Sequence, residues 1–133
     1  MPDTKRHFTL LLIEDEGPLR AIIKSKLETE GFTVATARTA QQALDYLREK
    51  IKVDGIWLDH YLSNEESGLD FVVKLKKEPR WKNLPVFVVS NTASQETLEA
   101  YTNLKVRKRY NKVDYRLDRI VKDIKKTLTD GAS

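Results

Sequence analysis

A chain of 133 residues is long enough for one domain with a sizeable core and short for two. Its longest apolar stretches have four or five residues, which excludes a membrane-spanning helix, and the polar segment 1–7 does not have the pattern of a signal peptide. There is no cysteine, which excludes disulfides and thiolate metal sites and fits a cytoplasmic location. We therefore expect a single domain over residues 1–133, with a core of about 8–128 and short polar tails.

Five apolar runs alternate with stretches of helical periodicity, a pattern typical of a parallel sheet covered by helices on both faces. The predicted strands are 8–13, 32–36, 53–58, 86–89 and 106–111. The third is almost entirely apolar, as expected for a strand that is buried on both sides. The fifth is the least regular, because three consecutive cations interrupt it.

Helix boundaries are indicated by cap and stop residues between these strands. Pro18 suits the first turn of the first helix, and Gly31 suits its end. Thr39 followed by Gln42 predicts a capping box for the second helix, and Ser94 or a neighbour is expected to cap the fourth. The helical residues that we expect to be buried are Leu19, Ile22, Ile23 and Leu27; Ala40, Ala43, Leu44 and Leu47; Leu69, Val72 and Leu75; Leu98, Tyr101 and Leu104; and Leu117, Ile120, Val121, Ile124 and Leu128.

Polar groups follow four of the five predicted strands. They are Glu14, Asp15, Asp59, Ser90 and Lys112. Because the carboxyl ends of parallel strands meet at one edge of a sheet, we expect these side chains to converge. Asp59 is the most informative, since a carboxylate directly after four uncharged strand residues needs a partner or a function. Oxygen ligands without a histidine cluster favour Mg²⁺, which would let a carboxylate approach a phosphoryl group.

Taken alone, most of these residues have simpler explanations. Glu14, Asp15 and Glu16 could cap the following helix, and Ser90 could belong to a turn. Lys112 is one of 24 cationic residues. The prediction of a phosphoryl and magnesium site therefore depends on the whole set.

This ordered set resembles the receiver domains of two-component response regulators over nearly the whole chain. The segments that carry the resemblance are 11–16, 31–37 with Ala40, Ala43 and Leu44, 56–59, 68–69 and 84–86, together with Ser90 and Lys112. It implies an α/β, flavodoxin-like (βα)5 receiver fold, with a doubly wound five-stranded parallel sheet in the order 2-1-3-4-5.

The resemblance also implies a role for each polar residue. Asp59 resembles the phosphoacceptor, and Asp15 resembles a direct magnesium ligand. Glu14 would act on the metal through a water, and the backbone carbonyl of Tyr61 would be a further ligand beside Asp59. Ser90 resembles the hydroxyl that hydrogen-bonds the phosphoryl group, and Lys112 the lysine that pairs with it.

Several positions depart from the pattern of the family. Val113 replaces the usual proline after the lysine, Ser63 replaces a proline in the loop after Asp59, and Asn91 replaces a small residue. Arg109 stands where many members have an aromatic switch residue, and the neighbouring Tyr110 is expected on the opposite face of its strand. Glu16 and His60 are expected to be surface residues.

Three functions fit these observations. The first is a phosphorelay signalling module, not an enzyme with its own substrate, which takes a phosphoryl group from a histidine kinase or phosphotransfer protein. The second is a magnesium-dependent phosphohydrolase with an aspartyl-phosphate intermediate, although Tyr61 stands where such enzymes commonly have a second acid. The third is a receiver-like binding domain that carries no phosphate, and the intact set of polar residues argues against it.

Positive charge is concentrated near the end of the chain, although the net charge is only +4. Residues 105–126 contain ten Lys or Arg and three Asp, which fits either a solvated helix and a protected edge strand or a docking surface. The family commonly signals through its fourth helix, fifth strand and fifth helix. We therefore expect a partner protein with an acidic surface, or a homodimer through this face, rather than nucleic acid or a membrane.

Overall fold

The computed structural model describes residues 7–49, 52–62, 67–91, 94–112 and 115–131, in which five strands alternate with five helices. The strands are β1 (Thr9–Ile13), β2 (Thr33–Ala37), β3 (Gly55–Leu58), β4 (Val86–Ser90) and β5 (Lys108–Asn111). The helices are α1 (Gly17–Thr29), α2 (Ala40–Arg48), α3 (Gly68–Lys77), α4 (Gln95–Asn103) and α5 (Leu117–Gly131). Each lies at the position that the sequence pattern predicts, with boundaries shifted by a few residues.

The strands form one parallel sheet in the order β2-β1-β3-β4-β5, which confirms the predicted doubly wound topology. Strand β3 lies between β1 and β4, and all four of its residues are buried. In the register of β1 and β3, Ile13 is opposite Leu58. The residues that follow these two strands therefore leave the sheet at the same level, which positions the site described below.

Alternating side chains place the core on both faces of the sheet. Leu11 and Ile13 pack in a cluster with residues of α2, α3 and α4, while Leu10 and Leu12 pack with residues of α1 and α5. This alternation is the two-residue period of a strand, and helices on both sides explain why the central strands are continuously apolar. Exposure of either face of the sheet to solvent would disrupt one of the two hydrophobic clusters.

Local hydrogen bonds explain where several helices begin and end. Ser67 and Asp70 form a reciprocal capping box at α3, with side chain to backbone distances of 3.2 and 3.0 Å. The predicted Thr39 cap is confirmed, but the Gln42 side chain accepts from the backbone N–H of Arg38 and does not complete a capping box.

Ser94 caps α4, as the sequence predicts, because its side chain accepts a hydrogen bond from the backbone N–H of Thr97. Gly31 has φ of 95°, a left-handed conformation that suits glycine after the end of α1.

Six of the helical residues that the sequence predicts to be buried are not fully buried. Ile22 is 51% exposed, because it lies about 100° around the helix from Ile23 and points away from the sheet. The other five are only partly buried: Leu19, Leu69, Leu98, Leu104 and Leu117. In α4, Tyr101 alone is fully enclosed.

The last helix does not end at Leu128 but continues to Gly131, so most of the predicted polar tail is helical. A Lys126–Asp130 ion pair of 3.0 Å lies along this last turn. The expectations about Ser63 and Val113, and about the chain ends 1–6 and 132–133, lie outside the described residues. In the part of the chain that the structure describes, no helix is both long and apolar enough to cross a bilayer.

The capping box of α3 gives a test of local stability. Ser67→Ala should lower the free energy of unfolding by about 1 kcal/mol, because the backbone N–H of Asp70 loses its partner. Urea denaturation measures this change. Ser25→Ala, at an exposed position inside α1, is the matched control and should be neutral or slightly stabilising. Equal effects of the two substitutions would contradict the assignment of the cap.

Candidate functional site

Three carboxylates meet at the carboxyl edge of the sheet. Glu14 and Asp15 follow β1 and Asp59 follows β3, and one carboxylate oxygen of each lies within 4.8 Å of the others. The backbone N–H of Asp59 donates to the carbonyl of Ile13 at 3.2 Å, which fixes the two strand ends together. The sheet therefore brings together the three acids that the sequence places at its edge.

Ser90 ends β4 and Lys112 directly follows β5, so both lie at the same edge of the sheet as the three acids. The Lys112 ammonium is 4.0 Å from Glu14 Oε1, and its backbone N–H donates to the Ser90 carbonyl at 2.8 Å. Ser90 is the last residue of β4 and is buried, two residues after Val88, which is opposite Leu58 of β3. The cation and the hydroxyl thus belong to the two strands that follow Asp59 in the sheet.

Tyr61 and Asn91 stand at the outer side of the site. The backbone N–H of Tyr61 donates to Asp59 Oδ1 at 3.3 Å, while the Tyr61 side chain is 53% exposed. Asn91 is also exposed. Asp59 itself is buried, with 7% of its surface exposed.

The pKa values of Glu14 and Asp59 are both raised, and burial is the largest cause of each shift. Burial, followed by the negative charge of Asp59, raises the pKa of Glu14 from its usual 4.5 to about 7. Burial also raises the pKa of Asp59, and the positive charge of Lys112 opposes this shift. One ammonium group therefore does not offset the cost of holding these carboxylates close together and away from water.

The donor set fits a divalent cation such as Mg²⁺. Glu14 Oε1 is buried and makes no hydrogen bond to any described residue, whereas Glu14 Oε2 accepts from the backbone N–H of Glu16 at 3.1 Å. A buried carboxylate oxygen that accepts no hydrogen bond and lies beside two further carboxylates is the ligand chemistry that a hard cation, or a water bound to it, prefers.

Arg20 is a supporting residue that the sequence analysis missed. Its guanidinium donates to the backbone carbonyls of Glu14 and Asp15, at 2.9 and 3.2 Å, and so holds the β1–α1 loop on which both acids lie. The only sequence signal was a cation five residues after Asp15, within the first turn or so of α1.

The sequence predicts that His60 is a surface residue, but the structure shows that it is half-buried. Its Nδ1 lies 2.6 Å from the hydroxyl oxygen of Tyr101, a fully buried residue of α4. Burial lowers the pKa of His60 and raises the pKa of Tyr101, which favours a neutral imidazole beside a protonated phenol, and the tautomer of His60 decides which of the two groups donates. This contact between the Asp59 loop and α4 had no sequence signal, because 41 residues separate the two side chains.

Arg109 and Tyr110 of strand β5 lie on opposite faces of the sheet. Arg109 is exposed, while Tyr110 is buried on the face covered by α1 and α5, as expected from strand alternation. The Tyr110 hydroxyl donates to the Asp123 carboxylate on α5, and Lys108 pairs with the same carboxylate at 3.0 Å. Tyr110 is thus held on the face of the sheet opposite Tyr101.

Comparisons with known proteins identify one family over most of the chain. The family described as the response regulator receiver domain matches residues 10–125. The alginate biosynthesis transcriptional regulatory protein AlgB of Pseudomonas syringae is 32% identical over 73% of this chain, and the phosphate regulon transcriptional regulatory protein PhoB of Klebsiella pneumoniae is 33% identical over 65%. The matched stretches span 21% and 37% of those two relatives.

Solved structures agree with the sequence relatives. The phosphorylated cyanobacterial phytochrome response regulator RcpA has a TM-score of 0.84 and 26% identity, with 96% of this chain and 98% of that chain covered. The Vibrio cholerae chemotaxis protein CheY4 has a TM-score of 0.80 over 91% and 98% of the two chains, but its identity of 19% supports the fold alone.

The perturbed acid Glu14 predicts an unusual pH dependence in magnesium-free buffer. Because its folded pKa of about 7 exceeds its usual 4.5, its contribution to stability is present below pH 4.5 and is lost as the pH rises through 7. Glu14→Gln should therefore raise the free energy of unfolding at pH 8 by roughly 1–3 kcal/mol and remove this part of the pH dependence.

Urea denaturation at pH 5 and pH 8, with a chelator present, measures the effect. Glu16→Gln is the matched control, since Glu16 is exposed, and should change the free energy of unfolding by less than about 0.5 kcal/mol. A Glu14→Gln protein that is less stable than the parent at pH 8 would show that the ionised Glu14 carboxylate does not destabilise the fold.

Proposed function

The chain belongs to the receiver domains of response regulators, and we propose that it accepts a phosphoryl group on Asp59 and changes its affinity for a partner protein as a result. The donor is a phosphohistidine on a histidine kinase or phosphotransfer protein. One observation carries the proposal: a buried Asp59 stands beside two further acids, Glu14 Oε1 accepts no hydrogen bond from the described residues, and the Lys112 ammonium is 4.0 Å from that oxygen.

Mg²⁺ is the proposed cofactor, held by Glu14, Asp15 and Asp59 together with the backbone carbonyl of Tyr61. When bound, it supplies positive charge that reduces the repulsion between Asp59 and an incoming phosphoryl group. Glu14, with its raised pKa, has to lose its proton for this role, so acid is expected to compete with the cation.

In the transfer step, a carboxylate oxygen of Asp59 forms a bond to phosphorus as the N–P bond of the phosphohistidine breaks. The electron pair of that bond returns to the donor imidazole. Lys112 and Ser90 would take the phosphoryl oxygens, with an ammonium group and a hydroxyl aimed at the charge that develops there. The product is an acyl phosphate on Asp59, and no further substrate is needed.

The proposed output surface is basic and lies on β5 and α5. We define the basic surface as the exposed residues Arg107, Lys108, Arg109, Lys122 and Lys126. Helix α4 does not share this charge, because it carries Glu96 and Glu99 and no cation. Arg107 and Arg109 make no ion pair with any described residue, which leaves them for a partner with an acidic surface.

Phosphorylation of Asp59 is tested with a small-molecule phosphodonor and Mg²⁺, followed by intact mass and peptide mapping. The parent chain should gain one phosphoryl group on the peptide that contains Asp59. Asp59→Asn should abolish the gain, and Asp15→Asn should slow it by about 100-fold or more, because the cation loses a ligand.

Asp45→Asn is the matched control for this experiment, since Asp45 is an exposed acid on α2 outside the site. It should be phosphorylated at the parental rate. A phosphoryl group that appears at the parental rate in Asp59→Asn would disprove the assignment of the acceptor.

Partner binding through the basic surface should depend on charge and on salt. Arg107→Glu combined with Arg109→Glu should weaken binding to the cognate partner by about 10-fold while phosphorylation of Asp59 remains, because several weak charge pairs reverse together. The dissociation constant, measured between low and physiological salt, should rise with salt in the parent chain.

Arg48→Glu combined with Lys52→Glu changes the net charge equally, at exposed positions near the end of α2, and should leave the dissociation constant nearly unchanged. Equal loss of binding in both double variants would mean that net charge, not this surface, selects the partner. Tight and sequence-selective binding of duplex DNA by the chain would contradict the proposal of a protein partner and identify nucleic acid as the partner instead.

A further inference from the structure

Three neighbouring aromatic side chains connect the edge of the Asp59 site to α4. The rings of Tyr61 and His60 meet edge to face with centroids 4.7 Å apart, and the rings of His60 and Tyr101 do so at 5.5 Å. The first two residues directly follow Asp59, whereas Tyr101 lies on α4. The contact chain therefore begins at the loop that would sense the phosphoryl group and ends inside a helix on the surface.

The hydroxyl of Tyr101 has one hydrogen-bond partner among the described residues, and that partner is His60. The two atoms are 2.6 Å apart, and Tyr101 is completely buried. A buried phenol hydroxyl without a partner would be unfavourable, so movement of His60 away from Tyr101 must be followed by movement of Tyr101 or by a lost hydrogen bond.

There is almost no free space around this hydrogen bond. A Cβ atom on Gly68, at the start of α3, would lie 2.8 Å from the Tyr101 hydroxyl oxygen, 2.9 Å from the Asp59 carbonyl oxygen and 3.0 Å from His60 Cα. The backbone N–H of Gly68 also donates to the His60 carbonyl at 2.9 Å. Tightly packed groups of this kind transmit a displacement because they cannot absorb it locally.

Strand β5 has no aromatic side chain on the face of the sheet that Tyr101 occupies. Arg109 occupies the switch position on β5, and Tyr110 is held by Asp123 on the other face of the sheet. By contrast, Tyr101 belongs to the same buried cluster as Leu58, the residue before Asp59. Helix α4 thus has a direct structural connection to the phosphoacceptor strand, and the exposed β5 arginine does not.

We propose that the His60–Tyr101 hydrogen bond couples phosphorylation of Asp59 to the conformation of α4. This inference rests on the proposed phosphoacceptor function and adds α4, the element that precedes β5 in the chain, to the part of the surface that responds to it. His60 is a positioning residue: it does not receive the phosphoryl group, but its hydrogen bond to Tyr101 ties the loop after Asp59 to the helix. Because such coupling is reciprocal, a partner that binds α4 also changes the stability of the phosphorylated state.

Amide hydrogen exchange of residues 94–104, measured before and after phosphorylation, tests the coupling, and intact mass gives the phosphorylated fraction. In the parent chain, phosphorylation with a small-molecule phosphodonor and Mg²⁺ should change the exchange rates in this segment by about fivefold or more. In Tyr101→Phe, which removes only the hydroxyl oxygen, the change should fall below about twofold at an equal phosphorylated fraction.

Two further variants separate coupling from general loosening of the fold. Tyr110→Phe is the matched control, because it also removes one buried hydroxyl that donates to a side chain, and it should keep the parental response of α4. His60→Asn retains a hydrogen-bond acceptor close to the position of Nδ1 and should keep most of the response, whereas His60→Ala should lose it.

The outcomes distinguish this inference from the proposed function. If the parent chain is phosphorylated and Tyr101→Phe responds in α4 as the parent does, the coupling is disproved and the phosphoacceptor function stands. If the parent chain is phosphorylated and α4 does not respond, the coupling is likewise disproved. If no phosphoryl group appears on the parent chain, the proposed function fails and this inference fails with it.

Discussion

Three carboxylates share a small region at the edge of the sheet with one ammonium group, and this imbalance of charge is the constraint on which the site depends. Glu14 and Asp59 are buried, Asp15 lies beside them, and Lys112 is the one cation close enough to form an ion pair with Glu14 among the described residues. Such an arrangement is costly in a protein without a bound cation. A site that destabilises the fold in this way is expected where function requires it.

The two hydrophobic cores fix the geometry that produces this conflict. Because both faces of β1 and β3 are covered, a shift of register would move apolar side chains out of one core. The register then sets the distance between the ends of the strands, and Arg20 holds the loop after β1 by two of its carbonyls. The acids therefore cannot move apart without disturbing the sheet.

Sequence patterns predicted the strands, the helices and the convergence of the polar residues, because each depends on local periodicity and on the geometry common to parallel sheets. They placed the end of α5 too early, since Thr129 and Asp130 look like a polar tail but continue the helix through contacts one turn back. They misjudged Ile22, because an apolar residue at the margin of a helical stripe is not necessarily in contact with the sheet.

The connection between His60 and Tyr101 could not be predicted, because it depends on how α3 and α4 pack against the loop after β3. No local pattern relates two side chains so far apart in sequence, and each residue alone looks ordinary. Gly68 is the first residue of α3, and the reason for a glycine there is the close approach of Tyr101 and of the Asp59 backbone. Contacts of this kind become visible only in three dimensions.

The central claim is that the acid cluster is a cation site whose charge conflict is resolved by Mg²⁺. A magnesium titration followed by amide chemical shifts at pH 6, 7 and 8 tests it most directly. The account predicts one saturable site with the largest shifts near residues 14, 15 and 59, and an affinity that falls by up to about tenfold per pH unit below 7 as protons compete for Glu14. An affinity that does not change between pH 6 and 8, or shifts confined to other parts of the chain, would contradict it.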